Sequence, residues 1–565
     1  MKITPLTESV GPVGAKAERL RELALSGFPI PRAVVLTNLL DSDIHSFKRD
    51  LTQLLESTFS GRQVVARSSV SDEDRALALA PGVYDSFLGL TTAEALIHAI
   101  EVCRSGVYGA DAIAYRELHK IDELPELAVV VQEMIPAERS GVLYTTDPLS
   151  IAPRMAVEWV NGIGTDVVLG RSTHRFTMER PERVVPVDDW SFEDVDELRD
   201  RLQRLGLMLE NRYGQPQDIE WGVHEARLYL FQTRPAALGQ PADQLPVGDR
   251  PMFDGISVAP VSLGYAIGRL ANESDNHPAH LLHDPLIRLL DELPSAAELI
   301  EQSTHQGLIA RRSNTLSHAA AMCRELGIPT VQYDLDVPSG MLALDAVRGV
   351  LSPFADLDPV ERKRMIFGAM RTLASRHTTP DVVTVEDKYE TILIDPFAVG
   401  RLSDHLTSLG VTAVTEVEDL VPYDQGVRQY TGISARAQQR AEGVRVQFKR
   451  AHNLPDRPMR FDQEVHVRVA DLGEAHELLT TYGYTRFEAQ QREVERWSVM
   501  DGTVMMFRWP NQGQRYVGIE SPDPDWIMTL LSEAGVPPTA ARAMDGTQIF
   551  AVAGIGLRDL QFAHK

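Results

Sequence analysis

Ser313-Asn314-Thr315-Leu316-Ser317-His318-Ala319-Ala320-Ala321, followed by Arg324-Glu325-Leu326-Gly327-Ile328-Pro329, is the stretch from which the rest of the chain is read. Ala319 to Leu326 is built from good helix formers, and Gly327 with Pro329 forms a stop signal. Ser317 or Thr315 can cap the start. The spacing predicts a short helix with His318 in its first turn, where unpaired N–H groups and the helix dipole favour negative charge. A phosphoryl group on the imidazole would be stabilised there as anions are at helix N-termini. The chain has 16 histidines, most of them ordinary surface or core residues, so the surroundings of His318 have to decide.

At 565 residues the chain exceeds one core. It is 43% hydrophobic and 24% charged, an ordinary soluble globular composition. No run of about 18 apolar residues is present, so no membrane span is expected. Met1-Lys2-Ile3-Thr4-Pro5 has no apolar signal core. Cys103 and Cys323 give neither a disulfide framework nor a metal pair. A cytoplasmic protein is the simplest expectation. A net charge of −24 opposes nucleic-acid binding and leaves anionic small substrates to local clusters of Lys and Arg.

Two Pro-rich stretches, 235–251 and 352–359, read as linkers. They divide the chain into blocks 1–238, 252–351 and 356–565. In the first, Ala17 to Ser26 has helical spacing. Val64-Val65-Ala66, Ala128 to Gln132, Gly141 to Thr145 and Leu228 to Phe231 are short apolar runs suited to buried strands. In the third, Thr391 to Ile394, Val444 to Lys449, Glu464 to Val469 and Arg515 to Ile519 read as strands, with Gly473 to Tyr482 helical.

The run Leu316 to Val331 resembles the phosphohistidine segment of the phosphoenolpyruvate-utilising enzymes: pyruvate phosphate dikinase, phosphoenolpyruvate synthase and rifampicin phosphotransferase. Arg324 to Pro329 matches the family's R-E-L-G-I-P tail without interruption. Gly255 to Pro260 and Gly264 to Gly268 resemble the strand and turn opening the same domain. Ser313 and Asn314 stand where the family usually has two glycines, and Leu316 where it has Thr. The resemblance implies a small swivelling β/α domain with His318 as phosphocarrier.

Residues 10–236 resemble the same family's ATP-grasp-like nucleotide domain. Gly14-Ala15-Lys16 is similar to its opening Gly-Gly-Lys. Val65-Ala66-Arg67-Ser68-Ser69, Glu73-Asp74 and Pro81-Gly82 are similar to its Arg-Ser-Ser segment and glycine loop. Val131-Gln132-Glu133-Met134-Ile135 is similar to its adenine hinge, and Asp218-Ile219-Glu220-Trp221 with Gln232-Thr233-Arg234-Pro235 to its closing strands. By that resemblance Lys16, Arg67 and Arg234 contact ATP phosphates and Gly82 belongs to the glycine loop. Gln132, Glu133 and Met134 meet the base, while Glu220 and Gln232 hold Mg2+. An Arg fork suits phosphate oxygens, Mg2+ prefers oxygen ligands, and phosphoryl transfer needs charge neutralisation above all. No G-x-x-x-x-G-K-[ST] loop is present, so the nucleotide is not held that way.

Block three is shorter than the roughly 250 residues of a (β/α)8 barrel, and nothing in it resembles the family's pyruvate-binding motifs. Between Arg428 and Arg468 it carries nine Lys and Arg against four carboxylates, which points to an anionic ligand or a docking face. Alternation in Val444 to Lys449 places Arg445, Gln447 and Lys449 on one strand face. The order weakly resembles the triphosphate-tunnel (CYTH-like) fold, which implies Arg445, Lys449 and Arg492 as acceptor-binding liners. That fold's signature of alternating glutamates ending in Lys is not intact here.

The expectation is a multidomain α/β and α+β protein. Its ATP-grasp-like and phosphohistidine domains precede an α+β domain with a triphosphate-tunnel-like barrel. The expected activity is ATP- and Mg2+-dependent phosphotransfer of the dikinase type. The β-phosphoryl of ATP would pass through phospho-His318 to an anionic small-molecule acceptor, with neither nucleic acid nor membrane involved. Two alternatives stay open: a non-catalytic ATP-binding regulator with a degenerate carrier domain, and an enzyme whose acceptor site lies on a partner protein.

Overall fold

In the computed structural model, the described residues are 1–40, 42–71, 86–122, 125–149, 154–164, 174–180, 187, 189–238, 251–272, 282–313, 315–376, 382–424, 433–454, 457–486, 489–509 and 515–544. They fall into two compact units: one formed by 1–245, 254–279 and 286–352, the other by 246–253, 280–285 and 353–565. Gly82, Glu73 and Asp74 lie outside the described residues.

The apolar runs of the first block become strands of two five-stranded sheets. The first joins β1 (Lys2–Pro5), β2 (Ala33–Thr37), β3 (Val64–Val70), β4 (Ser86–Leu90) and β5 (Leu127–Glu133) in the order β1-β2-β5-β3-β4. The second joins β6 (Arg139–Tyr144), β7 (Arg154–Asn161), β8 (His174–Glu179), β9 (Gln217–His224) and β10 (Arg227–Pro235) in the order β10-β9-β6-β7-β8. Every pairing in both is antiparallel. Buried Val, Leu and Ala cover the inner faces, which suits β-branched strands backed by helices.

The second block forms an eight-stranded sheet of β11 (Ile256–Ser257), β12 (Ala259–Ser262), β13 (Tyr265–Ala271), β14 (Leu286–Glu292), β15 (Gly307–Arg312), β16 (Thr330–Gln332), β17 (Met341–Asp345) and β18 (Val350–Pro353). Its centre, β13-β14-β15-β16, is parallel. Parallel neighbours need crossovers, and the helix His318–Glu325 is the one between β15 and β16. His318 therefore stands where the chain leaves the carboxyl end of β15.

In the second unit β19 (Val383–Leu393), β20 (Val414–Asp424), β21 (Ile433–Arg440), β22 (Gly443–Asn453), β23 (Arg460–Val469), β25 (Gln490–Val499), β26 (Gly502–Arg508) and β27 (Tyr516–Ser521) pair antiparallel in the order β21-β22-β23-β19-β27-β26-β25-β20. β20 pairs back onto β21, closing an eight-stranded barrel. The short β24 (Thr485–Arg486) attaches to β20 alone. The barrel is polar inside and apolar outside. On β22, Val446 and Phe448 are fully buried beneath the outer layer, while Arg445, Gln447 and Lys449 point into the lumen. Helices Pro396–Ser408 and Pro524–Glu533 cover Trp497, Val499, Val504, Met506, Val517 and Ile519 of the outer face.

The expectation of a free linker at 352–359 is corrected. Ser352 and Pro353 end β18, Phe354–Asp356 form a 3-10 turn, and Asp358 caps the helix Pro359–Ala374 through bonds to Val360 and Glu361. Phe354 and Leu357 are buried, so apolar anchoring overrides the Pro and Asp composition.

Candidate active site

Gly14 opens the helix Gly14–Leu25 with φ +74°. A Cβ there would lie 2.3 Å from the Ser69 carbonyl, so only glycine allows this approach. Ser69 Oγ accepts from Ala17 N at 3.0 Å and donates to Val13 O at 2.7 Å. These bonds seat Lys16, nearly buried, beside β3. Arg67 on β3 reaches across from the first sheet to the second: its Nη1 donates to Glu220 Oε2 at 2.7 Å and to Gln232 Oε1 at 2.8 Å.

A bulge between Leu230 and Gln232 sets Gln232 opposite Glu220 and Arg234 opposite Asp218. Alternation then brings all four side chains to one face. Arg234 donates to Asp218 Oδ2 from Nε at 2.9 Å. Burial would raise the Glu220 pKa, but Arg67 outweighs it and holds the carboxyl down at about 2. Burial dominates at Asp218 and raises its pKa against Arg234. One ionised carboxylate and one amide oxygen thus converge on a single point. That donor set fits Mg2+, which keeps waters and substrate phosphates in its remaining positions.

Gln132 and Glu133 are buried on β5. Glu133 N–H donates to Arg32 O at 2.7 Å and Met134 N–H to Gln63 O at 2.9 Å. The Glu133 carboxylate pairs with Arg62 and Arg32. Both N–H groups are thus engaged at the sheet edge.

His318 begins its helix, and Ser317 is the N-cap, its Oγ accepting from Ala320 N at 3.2 Å. The ring is half-buried and lies within electrostatic reach of Arg234, Glu220, Lys16 and Arg67. Burial first, then Arg234, Lys16 and Arg67, push its pKa down to about 3 against the opposing pull of Glu220. The ring is neutral at neutral pH and hence nucleophilic.

Leu316, Arg324 and Glu158, the last not singled out from the sequence, hold it there. Leu316 is buried with Val142, Tyr144, Ala156 and Val160 of the second sheet. Its N–H donates to Glu158 Oε2 at 3.3 Å. Burial raises the Glu158 pKa to about 7, countered by Arg175 and by the Leu316 amide. Arg324 donates from Nε to Ala237 O at 2.6 Å and from Nη1 to Thr315 O at 2.6 Å and Val261 O at 3.2 Å. Its Nη2 meets the Tyr144 hydroxyl at 3.3 Å. Leu316 thus enters an apolar socket, and a backbone amide on Glu158 orients the loop without a hydroxyl at that position. A carboxylate alone in the apolar run Met155-Ala156-Val157-Glu158 was a legible signal of such a role.

Residues 16–189 and 178–247 match the model of the pyruvate phosphate dikinase AMP/ATP-binding domain. Over these residues the chain is similar to the pyruvate phosphate dikinase-like enzymes. It is 27% identical over 402 residues to a probable phosphoenolpyruvate synthase of Methanothermobacter thermautotrophicus, covering 57% of this chain and 58% of that one. It is 29% identical over 213 residues to a rifampicin phosphotransferase of Streptomyces sviceus, covering 33% and 24%. The chain thus spans little more than half of the first relative and about a quarter of the second. A solved Hippeastrum protein, described as a putative adenylyl cyclase with a dominant triphosphatase activity, covers 30% of this chain and 97% of its own at 13% identity. Its TM-score of 0.24 is too low to carry an assignment. No helix among the described residues is long and apolar enough to cross a membrane.

A second charged site fills the barrel, a cavity of about 180 Å³ that Arg445, Lys449 and Arg492 line together. The lumen has two halves. On β20, β21, β22 and β25 stand Arg436, Arg440, Arg445, Arg492 and Arg496. Glu418, fully buried, pairs with Arg440 at 2.9 Å, Arg492 at 2.7 Å and Arg496 at 3.1 Å, and Glu416 with Arg496 at 3.1 Å. Arg436 and Arg445 are held by the amides of Gln447 and Gln438. Burial lowers the Arg436 pKa, and Arg492 adds to that. On β19, β22, β23 and β27 carboxylates prevail. Lys449 touches Asp462 at 2.6 Å, Glu390 at 2.9 Å and Glu464 at 3.0 Å, and Arg460 pairs with Glu390 and Asp462. Sequence reading found three of these liners. Arg436, Arg440, Arg460 and Lys388 were missed because closure of the barrel, not spacing along the chain, brings them together.

Proposed function

We propose that this protein is an ATP-dependent phosphotransferase in which His318 takes a phosphoryl group from ATP and delivers it to an anionic small molecule held by the barrel. The observation that carries the reading is the His318 ring lying within electrostatic reach of Arg67, Glu220 and Arg234, residues of the stretch that matches the AMP/ATP-binding domain. Lys16, Arg67 and Arg234 neutralise the phosphate chain, and Glu220 with Gln232 would hold Mg2+, which supplies charge neutralisation on the phosphates when bound. The unprotonated imidazole nitrogen attacks the β-phosphorus. An N–P bond forms as the bridge to the α-phosphate breaks, and AMP leaves with the electron pair. Water or phosphate then removes the terminal phosphoryl group, and His318 keeps the other. Glu158, Leu316 and Arg324 hold the loop in place during attack.

The acceptor is read from the barrel. Arginines hydrogen-bonded to glutamine amides on the lumen wall favour an oxyanion such as a phosphorylated compound. Arg67 bonded to both candidate metal ligands favours a second reading, a non-catalytic nucleotide sensor in which that triad is a closed latch. ATP labelled at the β-phosphate separates the two. Acid-labile, alkali-stable label with AMP release, lost in His318→Ala, is expected. Label retained in that variant rejects the carrier, ADP instead of AMP indicates an ordinary kinase, and no turnover favours the sensor. A metabolite screen against labelled protein then identifies the acceptor.

A further inference from the structure

In the carboxylate half of the barrel, Glu386, Glu464 and His466 bring three ligand atoms within 4.8 Å of one another, a grouping able to hold a metal ion. Another charge already stands there. Lys388 Nζ lies 2.8 Å from Glu520, 3.2 Å from Glu464 and 3.3 Å from Glu386. Lys388 is two residues from Glu386 on β19, so both project toward the lumen, and its stem is buried. A divalent cation on Glu386, Glu464 and His466 would sit within roughly 5 Å of that ammonium, sharing two of its carboxylates. The ammonium and the metal compete for the same negative charge. In the other half, the surplus of guanidinium over carboxylate is left for a ligand.

Resting on the reading of the barrel as an anion site, we infer that it binds its oxyanion without a divalent cation, Lys388 being the built-in counter-ion of the carboxylate half. The ligand class is a compact polyphosphate-like polyanion, seated on Arg436 and Arg445 and carrying no obligatory metal.

Calorimetric titration of the full chain with tripolyphosphate, in EDTA and then in Mg2+, tests this. Equal affinity in both is expected. Affinity that falls about ten-fold or more in EDTA overturns the inference. Lys388→Met should make binding depend on a divalent cation, and the variant should take up one additional Mn2+ by electron paramagnetic resonance. Binding by that variant in EDTA at native strength also overturns the inference. Arg436→Gln/Arg445→Gln identifies the barrel's share of the heat. If tripolyphosphate binds this double variant as it binds the native chain, the reading of the barrel as an anion site itself fails. The native comparison in EDTA and Mg2+ stands even if Lys388→Met folds poorly.

Discussion

At the scale of single residues, the chemistry of the nucleotide unit depends on which groups are charged. An ordinary histidine, with a pKa near 6.5, would be mostly protonated and non-nucleophilic at pH 5.5. With its pKa pushed down to about 3, His318 stays neutral across that range. The sign is set by burial and by three neighbouring cations, all of which disfavour imidazolium. The labelling rate at saturating ATP should therefore show no fall centred near pH 6.5 between pH 8 and 5.5. A loss of about ten-fold per pH unit below 6.5 would show that the ring titrates normally. Glu220→Ala removes the carboxylate that anchors Arg67 and completes the oxygen pair with Gln232. Mg2+-dependent AMP release should drop about ten-fold or more, with the far-ultraviolet circular dichroism unchanged. Unaltered turnover would take Glu220 out of the metal's reach. These positions were legible from the sequence through the family resemblance of Asp218 to Trp221 and Gln232 to Pro235. The bulge that aligns Gln232 with Glu220 was not, since register depends on the partner strand.

At the scale of elements, the question is what fixes the carrier helix against the nucleotide sheets. Arg324 is 2% exposed and bonds to carbonyls of Ala237, Val261 and Thr315 and to the Tyr144 hydroxyl. The sequence marks Arg324 only as part of a tail after His318. Its partners lie 9, 63, 87 and 180 residues away, so no local pattern discloses its structural work. Arg324→Met keeps the bulk and strands three carbonyls. A loss of about 3 kcal/mol is expected, read as a lower midpoint in thermal unfolding; an unchanged midpoint would mean water replaces every bond. Leu316→Ala acts differently. It empties the socket formed by Val142, Tyr144, Ala156 and Val160 and should cost about 2–3 kcal/mol of docking. The labelling rate should fall at saturating ATP while the KM for ATP stays put, because Leu316 lies on the carrier side and touches no nucleotide residue named above. A change confined to KM would place Leu316 at the nucleotide instead.

At the scale of the whole molecule, the two units present opposite solutions to burying charge. In the first, few charges gather in a cleft between sheets whose faces are otherwise apolar. In the second, eight strands close around a lumen lined mostly by charged side chains, with Ile392, Met505, Phe507 and Trp509 as an apolar patch, and a further apolar surface lies outside, beneath helices. Single-strand alternation predicted Arg445 and Lys449 on one face, and both do line the lumen. It could not separate their roles, which follow from what stands opposite after closure. Lys449 is enclosed by Asp462, Glu390 and Glu464, so Lys449→Met leaves three buried carboxylates short of one counter-charge and should cost about 3–5 kcal/mol. Loss of any function in that variant would report unfolding. Arg436 and Arg445 hydrogen-bond to glutamine amides and form no direct ion pair among the described residues, so neutralising them breaks no carboxylate contact. Arg436→Gln/Arg445→Gln should melt within about 1 kcal/mol of the native protein. It should also label His318 at the native rate and fail to discharge that label into a small-molecule cell extract that discharges the native protein. Discharge at the native rate by a folded double variant would remove the acceptor from the barrel and return the search to a partner protein.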